Sequence, residues 1–303
     1  MKKNLVLILK LIALTVLFFI FYMAGSVLMG TTLMHEDPAM QQAALKAIPI
    51  VCLVDTLVLA LVILRSNWNG WRLMLATSVS YYGVQTVMAQ IESAYFGPAL
   101  GISAAMVKAL FLQSLPIVLI FIPLAVLILG KGRGRFADSD PTAAQRLSMP
   151  ALQWAWKLAI IALVYVILYF LFGYFVAWSN PALSAMYGNG ADQQIFALNH
   201  LVPLQLGRGI LWALFTLPLI RMTKGSPWQI AIIAGLLLAL PMNIGHVIPN
   251  PIMPDPSVRL SHFIETATSN FIFGIVITQL VLWRPRPAHV PQAQPIQKLT
   301  KAG

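Results

Sequence analysis

Long apolar runs separated by short polar segments fill most of this 303-residue chain. A helix needs about 20 apolar residues to cross about 30 Å of hydrocarbon, and eight runs approach or exceed that length. The pattern therefore predicts an all-α fold, a bundle of eight transmembrane helices within residues 1–284 that leaves no room for a separate soluble domain. The predicted spans are 11–30, 46–64, 73–91, 104–130, 158–178, 205–220, 228–246 and 263–283.

Cations are distributed unevenly among the segments that join these runs. If the N-terminus lies in the cytoplasm, all but four of the 20 Lys and Arg residues lie on the cytoplasmic side. Because cations in short loops resist translocation, we expect both termini to be cytoplasmic, in a multi-pass protein of a bacterial cytoplasmic membrane. The net charge of +11 then reflects topology and attraction to anionic lipid headgroups rather than nucleic-acid binding. The four exceptions are Lys46, Lys108, Arg208 and Arg259.

A charged segment, 131–153, divides the predicted bundle into halves 1–130 and 154–284. The tail 285–303 is basic and rich in Pro and Gln, and this composition is typical of a disordered cytoplasmic extension.

The two halves share features that favour a parallel internal repeat of four helices each. An even number of helices gives both halves the same orientation in the membrane. The alternative interpretation is that basic and aromatic residues recur wherever a helical hairpin meets the headgroups. The matching features are Lys10 and Tyr22 with Lys157 and Tyr169, and the loop 65–71 with the loop 221–228.

Two opposite charges lie deep inside predicted spans. At a rise of about 1.5 Å per residue, Asp55 lies about 15 Å and Arg208 about 20 Å from the basic end of its helix. Ionisable residues at such depth usually face the bundle interior. The repeat predicts that Asp55 and Arg208 pair, either to fix helix packing or to carry a ligand, with Asp55 holding a proton or cation. Gly207 and Gly209 would let a neighbouring helix or ligand approach Arg208.

The third run carries a polar stripe at helical spacing. Ser78, Tyr82, Gln85 and Glu92 share one face, and Glu92 reaches the outer boundary of the membrane. One interpretation is a functional surface. The other is that the stripe contacts neighbouring helices, while the carboxylate of Glu92 at its end is solvated.

The richest polar segment joins the last two runs. Asn243 and His246 end the seventh run, and a stiff loop with four prolines follows. Arg259, His262 and Glu265 then recur on one face of the last helix, which should begin near residue 257. This arrangement predicts a pocket at the extracytoplasmic boundary.

The pocket chemistry has several interpretations. His246, His262, Glu265 and Glu92 would suit a divalent transition metal if they converge, although the chain has no His-Glu-x-x-His zinc motif. Otherwise they are hydrogen-bonded boundary residues and no cofactor is expected. The guanidinium groups of Arg208 and Arg259 would instead suit an anion.

These features favour a protein that binds or translocates a small polar or charged solute through a cavity open to the extracytoplasmic side. One alternative is a membrane-embedded enzyme, possibly metal-dependent, with its His and Glu residues at the outer boundary. Another is a non-catalytic assembly subunit. No Gly-rich phosphate loop and no Gly-x-Ser-x-Gly motif occurs. The candidate solute-binding residues are Asp55, Glu92, Arg208, Asn243, His246, Arg259, His262 and Glu265.

Overall fold

A computed structural model of the protein describes residues 2–31, 38–97, 102–133, 145–182, 197–250 and 253–284. The described part is a bundle of α-helices without a β-strand, and seven helices are long and apolar enough to cross a membrane. The all-α membrane architecture is therefore confirmed. The predicted tail, 285–303, and residues 134–144 of the central loop lie outside the described residues.

Among the described residues, ten α-helices, some continued by short π- or 3₁₀-helical turns, build the bundle. The first half contains α1 (Lys2–Met29), α2 (Pro38–Leu64), α3 (Gly70–Tyr81), a π-turn (Tyr82–Val87), α4 (Met88–Phe96), α5 (Ala104–Gln113), a π-turn (Ile117–Phe121) and α6 (Ile122–Ile128). The second half contains α7 (Ala151–Phe172), π-turns (Gly173–Ala177 and Ala197–Leu201), α8 (Val202–Met222), α9 (Pro227–Asn243), a 3₁₀ turn (Ile244–Val247) and α10 (Pro256–Leu282).

The prediction of eight apolar spans was one too many. The run 73–91 is helical from residue 70 to residue 96, but it is not among the seven helices apolar enough to span by composition. Its polar side chains are used between helices. Ser78 donates to the carbonyl of Val118 at 2.7 Å, and Tyr82 donates to the carbonyl of Phe111 at 3.1 Å. The stripe on this helix is thus a helix contact surface along its first two thirds.

Basic side chains gather at one end of the bundle and bind the carbonyls that helix ends leave free. The Lys131 ammonium donates to the carbonyl of Ser66 at 2.9 Å, and partial burial lowers its pKa. Buried Lys157 donates to the carbonyl of Trp283 at 2.7 Å, just after α10. Cations stabilise helix C-termini because those carbonyls carry partial negative charge. We call this region the basic end.

The loops after α2 and after α8 meet at the basic end in a short antiparallel bridge. Ser66 lies opposite Thr223. The amide of Asn67 donates to the carbonyl of Met222 at 2.6 Å, and that of Lys224 donates to the carbonyl of Arg65 at 2.7 Å. If the two loops are interchanged, each of these hydrogen bonds takes the position of the other, as a twofold axis between the loops requires.

Helix packing follows the same relation. Helix α2 packs on α9, and α8 packs on α3. These two contacts are equivalent if α2 matches α8 and α3 matches α9. The two-half repeat stays a prediction, and both the bridge and the packing support it.

The helix that carries His262 and Glu265 begins where the sequence indicates. Pro256 opens α10, and the carboxylate of Asp255 caps it by accepting a hydrogen bond from the amide of Ser257 at 2.7 Å. That bond holds the pKa of Asp255 below its ordinary value. Close contact between Gly235 of α9 and Gly274 of α10 lets the two helices pack tightly.

Gly209 sets the distance between α7 and α8. A Cβ atom at Gly209 would lie 2.9 Å from both Ala162 Cα and Tyr165 Cβ, whereas one at Gly207 would meet nothing within 4 Å. We predict that Gly209→Ala lowers the free energy of unfolding by about 1–3 kcal/mol, the usual cost of overpacking. Gly207→Ala should be neutral or slightly stabilising.

Thermal unfolding of both variants in the same detergent checks this pair. Equal stabilities would show that α7 and α8 do not approach as closely as the structure indicates.

Candidate functional site

Ionisable side chains from five helical segments gather in the half of the bundle away from the basic end. We call this group the charged cluster. Each member lies near the end of its own helix or one to three turns inside it, so helix packing rather than a loop positions the group. The members are Glu92 of α4, Tyr165 of α7, Arg208 of α8, His246 of the 3₁₀ turn, and His262 and Glu265 of α10.

Arg208 is the most buried charge of the cluster, with 2% of its side chain exposed. Its Nη2 lies 2.9 Å from Oε2 of Glu92, whose side chain is 28% exposed. Its Nη1 donates to Oε1 of Gln205 at 2.9 Å, and its Cζ lies 5.7 Å from the centre of the Tyr165 ring. A carboxylate, an amide and an aromatic face thus stabilise this guanidinium within the bundle.

The two histidines form the second part of the cluster. Nδ1 of His262 lies 2.9 Å from Oε2 of Glu265, one turn along α10. The ring centres of His262 and His246 are 4.5 Å apart at an interplanar angle of 63°. The sequence indicated that His262 and Glu265 share a face and that the proline loop returns the chain close to His246, and the structure brings all three together.

Tyr165 joins the two parts. It lies within electrostatic range of both Glu92 and Glu265, and Glu92 is also within range of His262. Glu92 is therefore not a carboxylate in bulk solvent, as one interpretation of the polar stripe had it. It links the arginine to the histidines.

The predicted pair between Asp55 and Arg208 is wrong. Arg208 pairs with Glu92, whereas Asp55 lies beside Tyr22, Cys52 and Tyr81. The reason is packing: α2 packs on α1 and α9, whereas α8 packs on α7 and α3. The two charges therefore have different neighbours.

Arg259 and Asn243 were also predicted to line the site, but both side chains donate hydrogen bonds to backbone carbonyls. The Arg259 guanidinium donates to the carbonyls of Met253 and Pro254, each at 2.7 Å, so it holds the proline loop and pairs with no carboxylate of the cluster. The amide nitrogen of Asn243 donates to the carbonyl of Ala239 at 2.6 Å, and its Oδ1 is buried without a partner.

The four-residue metal site is not formed. Among the described residues, no group of three or more His, Cys, Asp or Glu side chains has the arrangement that a metal ion requires. Nδ1 of His262 is engaged by Glu265, and Glu92 is engaged by Arg208.

Sequence reasoning missed Tyr165 and Gln205. Gln205 precedes Arg208 by three positions on one helix, and this spacing places the two side chains on the same face. Tyr165 lies one turn before Tyr169, which the repeat had singled out. Its role depends on the approach of α7 to α8 at Gly209, which no local pattern indicates.

Comparisons of the chain with protein-family models, with curated proteins and with solved structures gave no match. The side-chain chemistry of the cluster is therefore the basis for assigning a function.

The Arg208–Glu92 pair should show unequal losses when one partner is neutralised. Glu92→Gln leaves a guanidinium that is almost fully buried without its counter-charge, and breaking such a pair typically costs about 3–5 kcal/mol. Arg208→Gln leaves a carboxylate that solvent partly reaches, so its loss should be smaller.

A double-mutant cycle on the free energy of unfolding measures the coupling. The double variant should lose less stability than the sum of the two single losses. Strict additivity would mean that the two side chains do not interact.

Proposed function

We propose that this integral membrane protein binds a small polar or charged solute at the charged cluster and translocates it across the membrane. The observation that supports this proposal is that five ionisable side chains from separate helical segments come together inside an apolar bundle: Glu92, Arg208, His246, His262 and Glu265. Ionisable side chains at such positions are costly and typically mark a solute or proton path.

Unmade hydrogen bonds in this cluster favour a bound solute over a purely structural network. Nε of Arg208 and Nε2 of Gln205 are buried and have no partner in the protein. Leaving one buried donor unpaired costs about 1–3 kcal/mol, so networks that serve packing alone are usually satisfied. Two neighbouring free N–H donors favour a solute that carries an acceptor oxygen, such as a carboxylate or a hydroxyl.

The charge balance of the cluster favours a solute that also carries a positive or hydrogen-bond-donating group. The cluster contains two carboxylates, of Glu92 and Glu265, and one guanidinium, so it carries an excess negative charge while both imidazoles are neutral. A proton on His262 or a positive group on the solute would balance that charge. The solute class that fits best is therefore a small molecule with an oxygen acceptor and a cationic or donor group.

A membrane-embedded enzyme is the second candidate. The 2.9 Å contact between His262 and Glu265 is the arrangement in which a carboxylate orients an imidazole for general acid–base chemistry. A solute bound beside His262 would then be chemically changed rather than moved.

Ligand-induced stabilisation of the purified protein tests the first proposal. In a thermal-shift screen of amino acids, amines, hydroxy acids and sugars, a solute present at 100 times its Kd should add about 2.7 kcal/mol of stability. Glu265→Gln should abolish that shift. Asp255→Asn is the matched control because asparagine also caps a helix, and it should keep the shift.

The fate of the stabilising solute then separates the candidates. Counterflow of labelled solute into proteoliposomes supports translocation, whereas conversion of the solute to a product supports the enzyme. If no solute shifts the wild type more than Glu265→Gln, the cluster serves packing alone.

We further propose that the basic end faces the cytoplasm and the anionic headgroups of a bacterial cytoplasmic membrane. Helix α1 begins and α10 ends at this end, so both described termini would be cytoplasmic and the cluster would open to the other side. The clustering of Arg65, Lys131, Lys157 and Lys224 around helix C-termini supports this orientation because short basic loops are retained inside.

Cysteine accessibility tests the orientation. Native Cys52 is buried, so cysteines introduced at the exposed positions Asp255 and Lys224 should dominate labelling. In intact cells, a membrane-impermeant maleimide should label Asp255→Cys and spare Lys224→Cys until the membrane is permeabilised. The opposite pattern would invert the topology.

A further inference from the structure

A second ionisable site is centred on Asp55 and shares none of the residues of the charged cluster. Asp55 of α2 is 2% exposed, and its Oδ1 is buried without a hydrogen-bond partner. Tyr81 of α3 is close enough to bond to its carboxyl group, and Tyr22 of α1 and Cys52 of α2 lie within electrostatic range.

Asp55 differs from Arg208 in its charge environment. Among the described residues it forms no ion pair with a Lys, Arg or His, and Arg208 is committed to Glu92. The 3₁₀ turn packed on α2 carries the titratable base His246, which faces His262 instead. An isolated carboxylate in such surroundings costs several kcal/mol, so it must bind a cation or hold a proton.

The surroundings of Asp55 favour the proton. A hard cation such as Ca²⁺ takes about 6–8 oxygen ligands, several of them charged. In the part of the chain that the structure describes, the phenolic hydroxyls of Tyr81 and Tyr22 lie around Asp55, and no second carboxylate acts on it. A neutral carboxylic acid needs only one acceptor and one donor, which these hydroxyls can supply.

Other buried hydroxyls lie on the same two helices. Thr56 follows Asp55 on α2, and Thr77 and Ser80 precede Tyr81 on α3. All three hydroxyl oxygens are buried without a partner. Buried hydroxyls with unmade bonds are sites where water can bind inside a protein, and water chains conduct protons.

The predicted repeat gives this site a counterpart. Tyr22 matches Tyr169, and Tyr169 lies within electrostatic range of Arg208. In each half, a tyrosine of the first helix thus accompanies the buried charge of the second helix. One half presents a carboxyl group with no counter-charge, and the other presents a guanidinium with a carboxylate.

We infer that Asp55 is a proton-binding site in the membrane interior, which releases and regains its proton during each transport cycle. This coupling rests on the proposed translocation of a solute at the charged cluster. Protonation of Asp55 itself does not depend on that function and is measured separately.

Infrared spectroscopy of the purified protein tests the protonation. The wild type at neutral pH should show the carbonyl stretch of a protonated carboxylic acid, shifted in D₂O. Asp55→Asn should lose the band, while Asp255→Asn and Glu265→Gln should keep it. Absence of the band in the wild type, or its persistence in Asp55→Asn, overturns the inference.

Carbodiimide labelling removes any dependence on how well Asp55→Asn folds. Dicyclohexylcarbodiimide reacts with protonated carboxyl groups in apolar surroundings, so it should modify wild-type Asp55, as located by mass spectrometry. Modification of Glu92 or Glu265 with Asp55 left intact would overturn the inference.

Coupling is tested in proteoliposomes with a stabilising solute. Asp55→Asn should keep counterflow but lose accumulation driven by a pH gradient. Accumulation retained by Asp55→Asn would reject the coupling. If the wild type shows no counterflow, the proposed translocation is rejected, and the infrared result on Asp55 still stands.

Discussion

The charge of Arg208 has to be stabilised by the protein itself, because the hydrocarbon around the bundle offers neither water nor counter-ions. Glu92, Gln205 and the ring of Tyr165 supply that stabilisation, and each comes from a different helical turn. Helices α4, α7 and α8 therefore have to meet at one point. The absence of a side chain at Gly209 makes the meeting feasible, since it lets α7 approach α8 directly. The position of the candidate site follows from this single requirement.

Local features of the fold could be predicted from the sequence, whereas contacts between distant helices could not. Apolar length indicated the seven spanning helices, and Asp255 with Pro256 indicated the start of α10. The pair His262 and Glu265 followed from a spacing of three on one helix. The partner of Arg208 did not, because Glu92 lies 116 positions away and the two meet only through the packing of α8 on α3, the π-turn and α4.

The sequence errors have a common physical origin. Pairing Asp55 with Arg208 assumed that positions related by the repeat face each other, but a charge reaches only the helices that pack against its own. Assigning Arg259 to the site left out backbone carbonyls as possible partners, because a pattern of residue types does not show which carbonyls are free. The proline loop leaves the carbonyls of Met253 and Pro254 free, and the guanidinium binds them. Counting 73–91 as an apolar span overlooked the cost of its hydroxyl groups, which neighbouring helices rather than lipid satisfy.

The difference between Asp55 and Arg208, the buried charges of the two predicted halves, is the strongest argument that the bundle has a role beyond stable packing in the membrane. A protein that needed only stable packing could hold apolar side chains at Asp55 and Arg208, since replacing buried ionic groups by hydrophobic ones is often neutral or stabilising. Here one half retains a carboxyl group with an unmade hydrogen bond, and the other retains a guanidinium whose Nε also lacks a partner. Each buried polar atom without a hydrogen-bond partner costs stability. A bound proton in one half and a bound solute in the other would satisfy both.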